Sequence, residues 1–171
     1  MGGVKFEAPL DKVFFSDNWW EIFDALDSET VKKIAQKYPT KVDAVGETVD
    51  DLETFIETQF DKDFSMIITT ARKDNRTLYR VELEFYGMDD DWNYFDHEDV
   101  GCAIASALGW LSKYASMVEK LASAYGWDAL RKLVNLLPST YDPAAHYIIE
   151  NIAKVKEVIE NLKADVKPCE R

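Results

Sequence analysis

Cysteine and histidine are scarce: the 171 residues include two of each, Cys102 and Cys169, His97 and His146. The cysteines stand far apart and share no paired spacing with each other or with a histidine, so neither a zinc site nor a disulfide framework is expected. Cys102, within an apolar helical stretch, reads as a small core residue. Long apolar runs are missing as well. Val100 to Leu111 gives twelve residues, and Lys113 interrupts the continuation well before the roughly 20 that a bilayer requires. The opening MGGVKFEAPLDK lacks the basic start and apolar stretch of a secretory signal. Phe6 stands where a myristoylation pattern wants Ser or Thr, and Cys169 falls one place short of a prenylation box. A cytoplasmic protein without membrane contact is expected.

Catalytic signatures are absent from the sequence in the same way. No Gly-x-Ser-x-Gly elbow, phosphate-binding glycine loop or paired metal-binding histidine motif occurs. Glu82 and Glu84 share a strand face, as nuclease carboxylates can, yet no lysine follows them and Arg80 offers a surface ion-pair partner. No catalytic residue and no cofactor is assigned.

Positive charge is short too. Thirty-two acids face 20 bases, for a net charge of −12, and an exposed phosphate backbone would be repelled. Direct nucleic-acid binding is therefore not expected. The imbalance is local: residues 1–100 hold 24 acids and 11 bases, whereas residues 101–171 hold 8 acids and 9 bases.

Apolar residues are sufficient for a core. Leu, Ile, Val and Phe number 45, about a quarter of the chain, which excludes disorder for its bulk. Val4, Phe6 and Ala8 alternate with Lys5 and Glu7 as a half-buried strand does. Ser16, Asp17 and Asn18 precede a short helix carrying Trp19, Trp20, Ile22, Phe23 and Leu26. A second helix spans Ser28–Tyr38, with Val31, Ile34 and Ala35 inward and Pro39 ending it. Thr48 and Asp51 suggest a capping box opening a third, with Leu52, Phe55, Ile56 and Phe60 on one face and Asp50, Glu53 and Glu57 on the other. Tyr79, Val81, Leu83 and Phe85 alternate with Arg80, Glu82 and Glu84, and Met66–Ile68 forms a second β-rich run, so the two pair as a hairpin near 64–86.

From Val100 the period turns helical. Ile104, Leu108, Leu111, Ala115, Val118, Ala122 and Tyr125 form a heptad seam on a helix of about 39 Å that Gly126 ends. Gly101, Ala105 and Gly109 leave a flat strip for close helix approach. Trp127–Leu137 is a shorter amphipathic helix stopped by Pro138. Asp142 caps a last helix started by Pro143, with Ala145, Ile148, Ile152, Val155, Ile159, Leu162 and Val166 on its seam. Ile149 and Val158 broaden that stripe beyond the coiled-coil type, which favours packing within one chain over dimerisation. His146, in the first turn, reads as a packing or surface residue.

Asp89–Asp99 reads DDDWNYFDHED, acids and one histidine interleaved with Trp92, Tyr94 and Phe95. Tyr94 and Val100 stand where a calcium loop of the EF-hand kind needs Gly and Glu. An irregular metal site from Asp91, Asp96, His97 and Asp99 is the minor alternative. Asp96–Asp99 are also placed to cap the long helix, which accounts for part of the cluster without any function. Aromatic rings among acids suit an apolar anchor ringed by negative charge, facing a positive protein surface; the plain reading folds those rings onto the sheet as core.

The fold class expected is α+β in one domain: a small antiparallel sheet of two or three strands with short acidic helices over 1–99, then a bundle with two long antiparallel helices over 100–171. The function expected is a non-enzymatic binder of a basic, nucleic-acid-handling partner, as an inhibitor, immunity-type protein or nucleic-acid mimic. Its candidate contacts are Asp50, Glu53, Glu57, Asp89, Asp90, Asp91, Trp92, Tyr94, Asp96 and Glu98. Carboxylates three and four apart on the Asp50–Glu57 helix would stand about 5–6 Å apart, near a phosphate spacing. The alternatives are a subunit self-associating through its helices and a metal-dependent enzyme using the Asp89–Asp99 loop.

Overall fold

The computed structural model describes residues 4–9, 28–46, 53–73, 76–138 and 142–169. Six strands form one antiparallel sheet whose order follows the chain: β1 (Val4–Pro9), β2 (Thr40–Gly46), β3 (Glu53–Asp61), β4 (Phe64–Lys73), β5 (Arg76–Phe85) and β6 (Met88–His97). Helix α1 (Glu29–Lys37) precedes β2. After the sheet come α2 (Val100–Tyr125), α3 (Trp127–Asn135), α4 (Pro143–Glu150) and α5 (Ile152–Lys163). The class is α+β. The helix expected over Ser16–Leu26 lies outside the described residues.

The hairpin near 64–86 is β4 with β5, paired from Phe64 with Phe85 to Lys73 with Arg76. Its buried face carries Phe64, Met66, Ile68, Tyr79, Val81, Leu83 and Phe85. The sheet is larger than expected because two segments read otherwise are strands and residues 40–46, to which no element was assigned, form β2. Residues 53–61 form β3 where a helix was expected: Thr54, Ile56 and Thr58 are β-branched and all buried with Phe60 on one face. The buried hydroxyl of Thr58 lies 3.2 Å from that of Thr40 on β2, so the two satisfy each other. The Asp89–Asp99 stretch is likewise no loop; most of it is β6, the edge strand. Acids suit an edge, where they discourage pairing with another sheet.

The helices cover the face bearing Phe64 and Phe85, which stack 4.9 Å apart with Tyr147 of α4 against both. Trp110 of α2 meets Phe95 of β6. Helix α1 carries one acid and three lysines, so it is not acidic. It buries Val31 and Ile34, and Lys37 pairs with Asp165 beyond α5 at 2.6 Å.

Among the described residues only one helix is long. The expected final helix is broken at Asn151 (φ −131°, ψ 40°), whose backbone N–H and side-chain amide both donate to the Tyr147 carbonyl, at 2.8 and 3.1 Å. An asparagine that bonds the preceding turn offers the backbone an alternative to continued helix. The stripe survives the break, with Ile148, Val155, Val158 and Leu162 buried. Helix α5 packs on α2 within the chain, and Lys156 reaches Glu119 at 2.9 Å. The glycine strip is not used as expected. A Cβ at Gly109 would meet nothing within 4 Å, while one at Gly101 would come within 3.0 Å of Asp99 Oδ1 and 3.7 Å of Thr30 on α1. Tyr125, expected on the seam, is 73% exposed. Cys102 is no plain core residue; it is bonded to Cys169 across a separation of 67 residues. Among the described residues no helix is long and apolar enough to cross a membrane.

Candidate functional site

The antiparallel register fixes what the other face of the sheet presents. One row runs Lys41, Glu57, Ile67, Glu82, Tyr94; a second runs Asp43, Phe55, Thr69, Arg80, Asp96; a third runs Gln59, Ser65, Glu84, Asp89. Alternation along each strand sets these residues opposite the buried ones, and those whose side chains are described are half-buried or exposed. Among the described side chains of these three rows, five carboxylates, Asp43, Glu57, Glu82, Glu84 and Asp96, stand with two cations, Lys41 and Arg80, and Arg76 at the start of β5 adds a third cation to the face. Phe55 and Ile67 lie half-buried between them. At about 4.8 Å between strands and 6.8 Å between alternate residues, three rows cover on the order of 500 Å². A standard interface takes roughly 800 Å² from each partner. The rows, which already include β6, would fill more than half of one.

Internal pairing shapes the electrostatics of this face. Arg80 grips Asp96 with two bonds, Nε to Oδ1 and Nη2 to Oδ2, each 2.8 Å. Its guanidinium carbon also lies 4.4 Å from the centre of the Tyr94 ring. Those hydrogen bonds hold the Asp96 carboxyl below the usual carboxylate range and push the Arg80 guanidinium up. Lys41 stands 3.7 Å from Glu57, and Glu98, exposed beyond β6, pairs with Arg76.

The candidate contacts divide accordingly. Glu57, Tyr94 and Asp96 come together on the open face, and Asp89 holds the register position opposite Glu84. Glu53 opens β3 opposite Val45. Four residues apart on a strand, Glu53 and Glu57 are separated by about 13 Å and not by a helical 5–6 Å, so the expected helical acid ladder does not exist. Asp90, Asp91 and Trp92 belong to a stretch of β6 where residues 90–93 fall opposite Leu83 alone between two paired positions. Asp50 lies outside the described residues. Glu82, Glu84, Arg80, Phe55 and Ile67 were not among the candidates. The wet side of the Tyr79–Phe85 alternation already marked the first three, whereas Phe55 was hidden by the helical reading of its segment.

The described members of the acid-based metal set, Asp96, His97 and Asp99, do not converge. Asp96 and His97 are consecutive on a strand, and Asp96 is held by Arg80 on the open face while His97 sits opposite the buried Tyr79. His97 Nδ1 accepts the Asp99 backbone N–H at 2.8 Å, and Asp99 Oδ1 caps α2 by accepting from the Cys102 N–H at 2.9 Å. His97 instead groups with the two cysteines, the three offering atoms all within 4.8 Å of one another.

Comparison with protein-family models, with curated proteins and with solved structures found no match.

Proposed function

We propose that the protein is a non-enzymatic acidic binder that sets the open face of its sheet against a positively charged surface of a partner protein, of the kind that grips phosphates in a nucleic-acid-handling protein. The observation carrying this reading is that face, whose three rows set five described carboxylates against two cations around half-buried Phe55 and Ile67, on strands whose other side is anchored in the core. Carboxylates there would steer a basic partner, while the apolar residues would slow its departure. Glu82 and Glu84, about 6.8 Å apart on one strand, take over the spacing argument from the absent helix. The reading carries a cytoplasmic setting with it, where thiol reductants would act on the Cys102–Cys169 bridge.

Titration of the labelled protein with a short Lys/Arg-rich peptide, followed by amide chemical shifts at low and moderate salt, tests it. The reading expects shifts concentrated at Glu57, Ile67, Glu82 and Tyr94, an affinity that falls with salt, and weaker binding by the variant Glu57→Gln/Glu82→Gln/Glu84→Gln. Shifts on the helical side, or an affinity indifferent to salt and to that variant, would sink it.

A second reading, self-association through helices, is favoured by one observation. Met117, Leu121 and Tyr125 recur every fourth residue along α2 and are exposed, as are Leu133, Leu136 and Leu137 on and just after α3, Leu136 to 79%. Light scattering of the purified chain decides it: a monomer at micromolar concentration removes this reading, and a dimer broken by Leu133→Lys/Leu136→Lys establishes it.

A further inference from the structure

Where β6 ends and α2 begins, the end of the chain returns to the sheet. Cys102 is the third residue of α2, Cys169 lies past α5, and the two are joined by a disulfide. Cys169 Sγ stands 3.9 Å from His97 Nε2. The Asp99 N–H bond to Nδ1 makes that nitrogen the acceptor, so the proton of a neutral His97 sits on Nε2, on the side facing the sulfur. Both cysteines are half-buried and line an open cleft together with Glu29, Lys33, Asp99, Asp165 and Lys167. Asp165 is itself paired with Lys37. A bridge serving only as a staple needs neither an N–H donor at one sulfur nor access from solvent.

We infer that this cluster is a thiol–disulfide exchange site whose substrate is a small-molecule thiol. The thiolate of that thiol attacks Cys102 Sγ, the bond between the cysteines breaks, and its electron pair leaves on Cys169 Sγ, where the His97 Nε2–H donates to the new thiolate. The His97 N–H sets the direction, because it stands at Cys169 Sγ to receive the departing electron pair, whereas the Asp99 carboxylate is engaged by the Cys102 backbone N–H. A second thiolate then attacks the sulfur of the external thiol in the mixed disulfide. It forms the external disulfide and expels Cys102 as a thiolate that takes a proton from water. The protein disulfide gains two electrons and two external thiols become one disulfide.

The test uses the folded, oxidised full-length chain with glutathione at neutral pH, followed by acid quenching and mass spectrometry. Glutathione is expected on Cys102, and His97→Ala should slow bridge opening about three- to tenfold through the weaker leaving group. His97→Gln, whose amide N–H can replace the donor, should recover most of the rate while circular dichroism reports an unchanged fold. Any of the following results would overturn the inference. One is glutathione found on Cys169, or a rate indifferent to His97. Another is a bridge that opens only when the protein unfolds. The last is a reduced protein that takes up one equivalent of micromolar zinc and thereby shields both thiols from alkylation, which would make the cluster a metal centre.

Discussion

Tyr147 joins the helical layer to the sheet by ring and by hydroxyl. Its ring, 1% exposed, contacts Phe64, Phe85 and Tyr86, and its hydroxyl donates to Asp61 Oδ2 at 2.8 Å. That bond is the main reason the Asp61 carboxyl is held below its ordinary range, while burial pushes the Tyr147 phenol up. A lowered carboxyl contributes stability that is present above its unfolded value, about 3.9, and is lost as pH falls through the folded one. A raised phenol contributes stability that is present below about 10 and is lost as pH rises beyond that. Tyr147→Phe keeps the ring and deletes the bond. It should lower stability by about 1–2 kcal/mol at neutral pH and flatten both the acid and the alkaline arms of the stability profile, as read by urea unfolding across pH. An unchanged profile would mean that the bond contributes nothing in solution. None of this was legible in the sequence, because the two residues are 86 apart and meet only once α4 lies on the sheet.

At the scale of elements, local signals that carry their own chemistry were readable. Ser28, Asp99 and Asp142 each cap a helix with a side-chain oxygen, as their residue types suggested. The alternation of β5 was equally clear, and the β-rich run Met66–Ile68 marked its partner β4. The reading failed at β3 and β6, where residue type and burial disagree: β3 buries Thr54 and Thr58 while turning Phe55 to the open side, and β6 is an edge rich in strand-poor acids. Tyr86 and Gly87, which connect β5 to β6, both have positive φ, 59° and 74°, the backbone of a tight hairpin turn. Tyr86 bears that strain with its ring against Tyr147 and its N–H on the Asp63 carbonyl. A Cβ at position 87 would touch nothing within 4 Å, so Gly87→Ala isolates the backbone term. It should cost about 1 kcal/mol in chemical denaturation. A neutral result would show that the turn adjusts freely.

For the whole molecule, the charge division along the chain becomes a spatial one, with the carboxylate-rich sheet face turned away from the helices. Composition gave the sign of the candidate site but not its place, since the rows across β2 to β6 exist only through register. Under the proposed binding role, Asp89→Asn/Asp90→Asn/Asp91→Asn should slow association with a basic partner and weaken its salt dependence while leaving the melting temperature nearly unchanged. Trp92→Ala should act on dissociation instead. Stopped-flow association at two salt concentrations separates the effects, and equal rates for all three proteins would remove β6 from the interface.

The bridge between Cys102 and Cys169 also decides how the molecule bears tension. A pull on the two chain termini passes along residues 1–102, crosses the sulfurs and leaves through the last two residues, so α2 to α5 hang in a closed loop outside the load path. Stretched in an optical trap, the oxidised chain should reach a contour about 230 Å shorter than the reduced one, because 67 residues at roughly 3.4 Å each never enter the tether. The sheet and α1 would then set the rupture force, and a thiol added during the pull would release the hidden length in one step.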